Sequence, residues 1–469
     1  MEGKKRKSAA TLKSEITAES PAMSLLDGIF DKGTFCQLGA YVKKVSTKAD
    51  TGEKASDFEG VVTGYGAVDG RLVFAYVQDS SRMKGAFGEY GAKKICSLYE
   101  TAIKAGAPVV AVFDSAGAKI EEGAAALAAY AKVMNKAAAA SGYIPQIAVL
   151  SGVCAGSMAA VAQMCDVVIA SDKSEMYVAS PFVTKAKATP AAASEKGEID
   201  IVCSDSELAA KVKEVLVYLP SNSESPAMAE TDDDLNRLTP ETEEMVRSGD
   251  MYGVVKAIAD NGKVTELSAG YAPEMITALV TVGGYGCGIV ANNPKVKGGA
   301  ITPDAAKKAA GLINLCGDYG MPVVTLVDSV GAVADAENES ACYASAVAGL
   351  AYAYAQAPTA MVTAVLGKAY GLAGTVMGTK SVGADMVYAA ESAEISTMAP
   401  EAAVTFLYGK EVADSADPEK TRKEKTAEWK SEHCDPAEAA RIGEVDDIVG
   451  FEELRQRICA GIEMMNANI

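Results

Sequence analysis

The chain has 469 residues, 49% hydrophobic and 23% charged, which suits a soluble globular protein of two or more domains. Aromatic residues make up only 6% and the formal net charge is −18, which argues against a nucleic-acid platform of stacking rings and clustered Lys and Arg. The 10 cysteines are scattered without a CxxC or CxxH pair, which disfavours a zinc ribbon and points to reduced, mostly buried thiols.

In chain order, residues 1–24 are expected to form a flexible arm, since the basic cluster Lys4–Lys7 is followed by no apolar run and so does not read as a signal peptide. A β-hairpin pattern follows in "GVVTGYGAVDGRLVFAYVQD" (60–79), then a helix carrying "AKK" at 92–94. The apolar, β-branched run "PVVAVFD" (108–114) predicts a buried strand that stops in the small-residue loop "SAGA" (115–118). A helix over about 122–140, the strand "IPQIAVLSG" and a Gly-rich turn at Gly156–Ser157 complete the set. The Pro-, Ser- and acid-rich stretch 185–249 reads as a surface linker.

The same order then repeats. Pro108 matches Pro322, and "AKK" returns at 306–308, both 214 positions on. "MPVVTLVDSVGA" (321–332) repeats "APVVAVFDSAGA" (107–118), Gly371 matches Gly156, and Pro400 matches Pro181. Four landmarks in constant order indicate duplication of a whole domain. Alternating strands and helices make each copy α/β. The expected division is 25–249 and 250–469. No charged residue occurs between Glu339 and Lys368, but Pro358 splits that stretch. It reads as a buried helix to about Gln356 and a buried strand, not a membrane span.

Strands ending in small-residue loops expose backbone N–H groups, and helix starts leave N–H groups unpaired. Two such donors can form an oxyanion hole; the plainer reading is that the glycines permit tight turns. Asp114 and Asp328, ending matching strands, read as caps or loop anchors, and Glu121 and Glu122 as a solvated helix start. The single histidine, His433, lies far along the chain from both loops, which disfavours a metal site or His-based catalysis.

The motifs "GVVTGYGAVDGR", "APVVAVFDSAGAKIEEG", "YLPSN", "GIVANNP", "MPVVTLVD", "GKAYG", "GADMVY" and "RIGEVDDIV" resemble the carboxyltransferase subunit of biotin-dependent acyl-CoA carboxylases and decarboxylases. That resemblance implies two tandem crotonase-like domains of the ClpP/crotonase type. The first would hold acyl-CoA, its thioester oxygen on the amides of Gly156 and Ser157 beside Ala116, Gly117 and Ala118. The second would hold biotin on the amides of Leu372 and Ala373, near Gly331 and Ala332. In the mechanism so implied, carboxybiotin releases carbon dioxide, its nitrogen takes the α-proton, and the enolate attacks the carbon dioxide. Arg82, Lys84 and Lys119 are the candidate cations for CoA phosphates. The sequence departs from the family's "GGAYD" at Gly371–Thr375; Thr375 replaces an acidic residue that helps set acyl-chain preference.

No Ala-Met-Lys-Met motif occurs, so biotin is expected on a separate carrier protein. A biotin carboxylase or a membrane sodium-pumping decarboxylase subunit would be the further partner, and a homo-oligomer with dimer-built sites, a hexamer, is implied. The location implied is cytoplasmic, or peripheral at the inner membrane in the decarboxylase case. No metal is expected. A crotonase-type hydratase or isomerase, marked by enoyl-CoA hydration without biotin, stays open. So does a non-catalytic structural subunit, marked by failure to bind acyl-CoA.

Overall fold

The computed structural model describes residues 20–44 and 58–466. It divides into two compact units: one runs to Leu216 and includes Ser221–Ser225, and the other holds Val217–Pro220 and Pro226 onwards. Most of the expected arm lies outside the described residues. Its end is helical: Pro21–Ile29 forms a helix because Pro21 pre-sets the first turn and Ser20 Oγ accepts the Met23 N–H at 3.3 Å.

The first unit's strands are β1 (Cys36–Leu38), β2 (Val61–Val68), β3 (Arg71–Gln78), β4 (Val109–Ser115), β5 (Gln146–Ala155), β6 (Val167–Ser171), β7 (Glu175–Tyr177) and β8 (Ile201–Cys203). They form one sheet in the order β1-β2-β3-β4-β5-β6-β8, with β7 paired to β5. Pairing is antiparallel from β1 to β3 and parallel beyond.

The second unit copies this plan. Its strands are β9 (Val264–Leu267), β10 (Met275–Val282), β11 (Tyr285–Asn292), β12 (Val323–Ser329), β13 (Met361–Tyr370), β14 (Met386–Ala390), β15 (Glu394–Ser396) and β16 (Asp447–Val449). Their order is β9-β10-β11-β12-β13-β14-β16, with β15 on β13. Every strand of the first unit thus has a counterpart in the same place.

Local chemistry explains the shared frame. The β2–β3 hairpin turns on Asp69–Gly70 and the β10–β11 hairpin on Gly283–Gly284, all four residues at positive φ. Two-residue hairpin turns that follow the strand twist need that geometry. Strands β4 and β12 are buried along nearly their whole length, as parallel strands covered on both faces must be.

Two expectations change. The stretch 185–249 is not only a linker: it contributes β8 and the helices Pro190–Ser194, Leu208–Tyr218 and Thr242–Arg247. Its acidic composition hid the helical spacing of Leu208, Val212, Val215 and Leu216, all buried. The helix Tyr343–Gln356 is buried on one face only; Leu350 and Ala353 lie inside while Tyr352 is exposed. The strand after it, β13, is buried through Leu366. No helix among the described residues is long and apolar enough to cross a membrane.

A lysine is buried at the same place in both units. Lys94, on the helix Glu89–Ala105, donates to the carbonyl of Val61 at the start of β2. Lys308, on Pro303–Asp318, donates to the carbonyl of Met275 at the start of β10, at 2.8 Å. Burial pushes Lys94 down from 10.5 to about 8, against the pull of Glu59. Between those two values the unfolded chain holds a proton that the folded chain has released, so this group's contribution to stability rises with pH. Lys94→Met should therefore gain most over wild type at or below pH 8, and the gain should shrink towards pH 10. Thermal unfolding of both proteins at several pH values measures this; a constant difference would show that Lys94 titrates normally.

Candidate functional site

At the carboxyl end of the central strands the two units build the same turn. Strand β5 runs two residues further than β4 across a register break, from Phe113↔Leu150 to Ser115↔Cys154. Strands β12 and β13 break in the same way, from Val327↔Val365 to Ser329↔Ala369. The carboxylate of the intervening aspartate bridges each break. Asp114 Oδ1 accepts the Val153 N–H at 3.2 Å, and Asp328 Oδ1 accepts the Lys368 N–H at 2.9 Å. Burial pushes the Asp328 carboxyl up, opposed by that N–H. Both aspartates are loop anchors. Glycine is required opposite each one, since a Cβ at Gly152 or Gly367 would fall on the carboxylate.

The loops that follow match atom for atom. Ser115 Oγ accepts the Gly117 N–H at 3.2 Å, and Ser329 Oγ accepts the Gly331 N–H at 3.1 Å. Ala116 N–H donates to the Lys84 carbonyl at 3.0 Å, as Val330 N–H does to Gly298 at 3.1 Å. Ala118 bridges Phe87 and Ala332 bridges Ile301, so each loop is stitched to a neighbouring segment.

The second turn in each unit opens a short helix, Ser157–Ala162 or Ala373–Val376, at a positive-φ glycine. Gly156 N–H donates to the Tyr177 carbonyl at 2.8 Å and Gly371 N–H to Ser396 at 2.9 Å. The expectation that Gly156 supplies an oxyanion donor is thereby corrected, because its N–H is already taken. The N–H groups next in line are Ser157 and Met158 in the first unit, and Leu372 and Ala373 in the second. As the opening residues of a helix they have no intrahelical acceptor. Thr375 is exposed at the end of its turn, its hydroxyl donating to the Gly371 carbonyl at 2.9 Å.

The three candidate cations separate. Lys119 is buried with Nζ 2.7 Å from Glu59, which removes it from any phosphate in solution. Arg82 donates to the Glu59 carbonyl at 3.3 Å and lies 3.5 Å from Asp79. Lys84 alone of the three is exposed. Glu121 is exposed, but Glu122 is not a solvated helix start: it is turned inward and accepts the Glu89 N–H at 2.6 Å, capping a different helix.

His433 is also not far in space from the second unit's own Gly371 turn. The hairpin of helices Pro400–Asp414 and Pro418–His433 folds back, so His433 and the neighbouring Trp429, ring centroids 4.1 Å apart, line a cavity with Gly371, Ala373 and Thr375. Nothing in its local sequence signals this return. Among the described residues no cluster of three or more His, Cys, Asp or Glu is placed to hold a metal ion.

Two copies of one mixed sheet, each ending in the same aspartate-bridged turn, define a tandem crotonase-like fold. The chain belongs to the carboxyl transferase domain family, which matches residues 20–468. It is 34% identical to the alpha subunit of methylmalonyl-CoA decarboxylase from Propionigenium modestum, over 97% of this chain and 91% of that one. It is 32% identical to the biotin-dependent acetyl-/propionyl-coenzyme A carboxylase beta5 subunit of Mycobacterium tuberculosis, over 97% and 88%. The solved transcarboxylase 12S hexamer, with methylmalonyl-coenzyme A and methylmalonic acid bound, superposes with a TM-score of 0.89 at 32% identity, covering 97% of this chain and 90% of that one. The chain is an enzyme of the biotin-dependent carboxyltransferase class, acting between biotin and an acyl-CoA.

The aspartate bridge generates a test. Gly152→Ala and Gly367→Ala each push a methyl onto a carboxylate, an overpacking that costs about 1–3 kcal/mol. Both should lower the melting temperature by several degrees in scanning calorimetry. A loss confined to one copy would show that the two bridges are not equivalent.

Proposed function

We propose that this chain moves a carboxyl group between carrier-borne biotin and the α-carbon of an acyl-CoA, the first unit receiving the thioester and the second the biotin. The matched pair of turns carries this reading: one protein presents two sets of helix-start amides on the same scaffold. Ser157 and Met158 N–H would hold the thioester oxygen, whose negative charge grows as the α-proton leaves. Leu372 and Ala373 N–H would hold the ureido oxygen. Biotin supplies the carboxyl group and the basic nitrogen that exchanges the α-proton. This chain need then provide only fixed dipoles, in keeping with turns made of backbone and small side chains.

Of the expected CoA-phosphate contacts, Lys84 is the one proposed here. The relatives are subunits of larger enzymes and the 12S neighbour is a hexamer. A biotin carrier protein, a biotin carboxylase or membrane decarboxylase subunit, and a homo-hexamer are accordingly proposed for this chain. So is a cytoplasmic site of action, or one at the inner membrane surface. The acyl group is proposed from the methylmalonyl and propionyl class.

Carboxyl transfer to free biotin from malonyl-, methylmalonyl- and glutaconyl-CoA tests the activity. Two variants test the division of labour. Gly156 and Gly371 sit at φ 66° and 50°, where any side chain is strained. Alanine at either should shift the amides behind it. Misplacing a good oxyanion donor costs roughly 10²–10³ in rate. Gly156→Ala should impair handling of acyl-CoA and leave free biotin competing normally, and Gly371→Ala should do the reverse. Equal loss of both ligands in both variants, with circular dichroism unchanged, would refute the assignment.

A further inference from the structure

The backbone of a short neighbouring strand anchors the second glycine turn in each unit, and in the second unit a side chain joins it. The strand registers fix the comparison. Cys154 lies beside Met176 as Ala369 lies beside Ile395, so Ala155 corresponds to Tyr370 and Glu175 to Glu394. Ala155 has only a methyl group to offer β7, and Glu175 is exposed. Tyr370 is 4% exposed, and its hydroxyl donates to Oε2 of Glu394 on β15. The other oxygen of that carboxylate, Oε1, lies 2.6 Å from Lys430 Nζ on the helix Pro418–His433. The next two residues of β15 tie the same parts together. Ile395 N–H donates to the Cys434 carbonyl at 3.0 Å, at the end of the helical hairpin, and the Ser396 carbonyl accepts the Gly371 N–H at 2.9 Å. Strand β15 is therefore a joint between the hairpin and the turn.

Lys430 comes from the part of the second unit that makes it longer. Pro181 matches Pro400, 219 positions on, while Pro190 matches Pro436, 246 on, so the second unit carries 27 extra residues between them. Charge-assisted hydrogen bonds of this kind are shorter and stronger than neutral ones. Burial works against the charge on Glu394, yet Lys430 and the Tyr370 hydroxyl hold its carboxyl below the ordinary value. Burial, and then the same carboxylate, push the Tyr370 phenol far up. Donor and acceptor thus keep at neutral pH the protonation states that their hydrogen bond needs. The backbone of Tyr370 is held closely too: a Cβ at Gly331 would fall 2.5 Å from the Tyr370 carbonyl oxygen. Tyr370 therefore stands between the Gly331 loop and the amides of Leu372 and Ala373, which follow it in the chain.

We infer that Tyr370 is a positioning residue for the biotin side: tied through Glu394 to Lys430 of the hairpin, it holds the Leu372 and Ala373 amides where they receive the ureido oxygen. It touches no reacting atom itself. Donors of this kind must keep their place to within about 0.5 Å, which groups behind them secure. The inference rests on the carboxyl-transfer reading and adds to it that the second turn depends on the hairpin, while the first depends on strand backbone.

Tyr370→Phe keeps the ring and removes the hydroxyl. In carboxyl transfer from methylmalonyl-CoA to free biotin by the full-length protein, it should raise the KM for biotin at least fivefold and leave the KM for the acyl-CoA within twofold of wild type. Lys430→Met should raise the biotin KM severalfold, and Lys430→Arg, which keeps the ion pair, should behave as wild type. In the double variant Tyr370→Phe with Lys430→Met the two effects should combine to less than their product, because both act through Glu394. Lys430 is exposed, so Lys430→Met carries the test if Tyr370→Phe does not fold. Glu175→Gln, at the matching place in the first unit, should move neither KM. A readout without substrate comes from Trp429, the chain's single tryptophan and the residue before Lys430. Acrylamide should quench its emission more strongly in Lys430→Met than in wild type. A biotin KM unmoved by Tyr370→Phe and Lys430→Met, an equal rise in both KM values, fully multiplicative effects or unchanged quenching would overturn this inference and leave the carboxyl-transfer reading standing. Absence of any transfer by the wild type would overturn both.

Discussion

One interaction organises both halves of this protein: an aspartate carboxylate laid across a register break between two parallel strands. At the break the longer strand gains residues that its neighbour cannot pair, and a backbone N–H would be left without a strand acceptor. Asp114 takes the N–H of Val153 and Asp328 that of Lys368. With the break held, β5 and β13 continue past their neighbours and deliver Gly156 and Gly371 to the same position above each sheet. The serine-to-glycine hydrogen bond one residue further on fixes the first loop. Hydrogen bonds from Gly156 and Gly371 to β7 and β15 fix the second. The helix-start amides are therefore oriented before any ligand arrives, the condition under which dipoles are most useful to a reaction.

Much of this was legible in the sequence because duplication made it so. A strand ending in Asp-Ser-x-Gly is weak evidence once and strong evidence twice at a fixed interval. The hairpins, central strands and both glycine turns followed from periodicity and repeat alone. What the sequence concealed was long-range. Lys119 looked like a surface cation until Glu59, sixty positions earlier, was found against it. Glu122 looked like a helix start until it was found capping another helix. Which N–H at Gly156 is consumed depends on β7, whose position no local pattern gives. His433 was separated from the turns by chain length and joined to them by a helical hairpin. Helix 208–218 was masked by the acidic residues around it.

The two units also show how far one frame can diverge. They share strand order, turns, buried lysines and bridged breaks, and they differ in what fills the space under the second turn. Volume is the plainest difference: Phe113 against Val327 and Leu150 against Val365 leave backbone pairing intact. Hydrogen bonding between strands does not depend on side-chain size, so a sheet of this kind tolerates such exchange where a helix packed by ridges and grooves would shift.

The unequal spacing of the prolines orders these features in time. Whatever both units hold in matching positions was present in a single-domain ancestor before it was doubled. The 27-residue excess before Pro436 belongs to the second half's separate history, gained there or lost from its twin. Trp429 and His433, each the only residue of its kind in the chain, both lie in the stretch that carries that excess. The protein's two rarest side chains thus lie where its halves differ in length, in the part where they have had freedom to become different things.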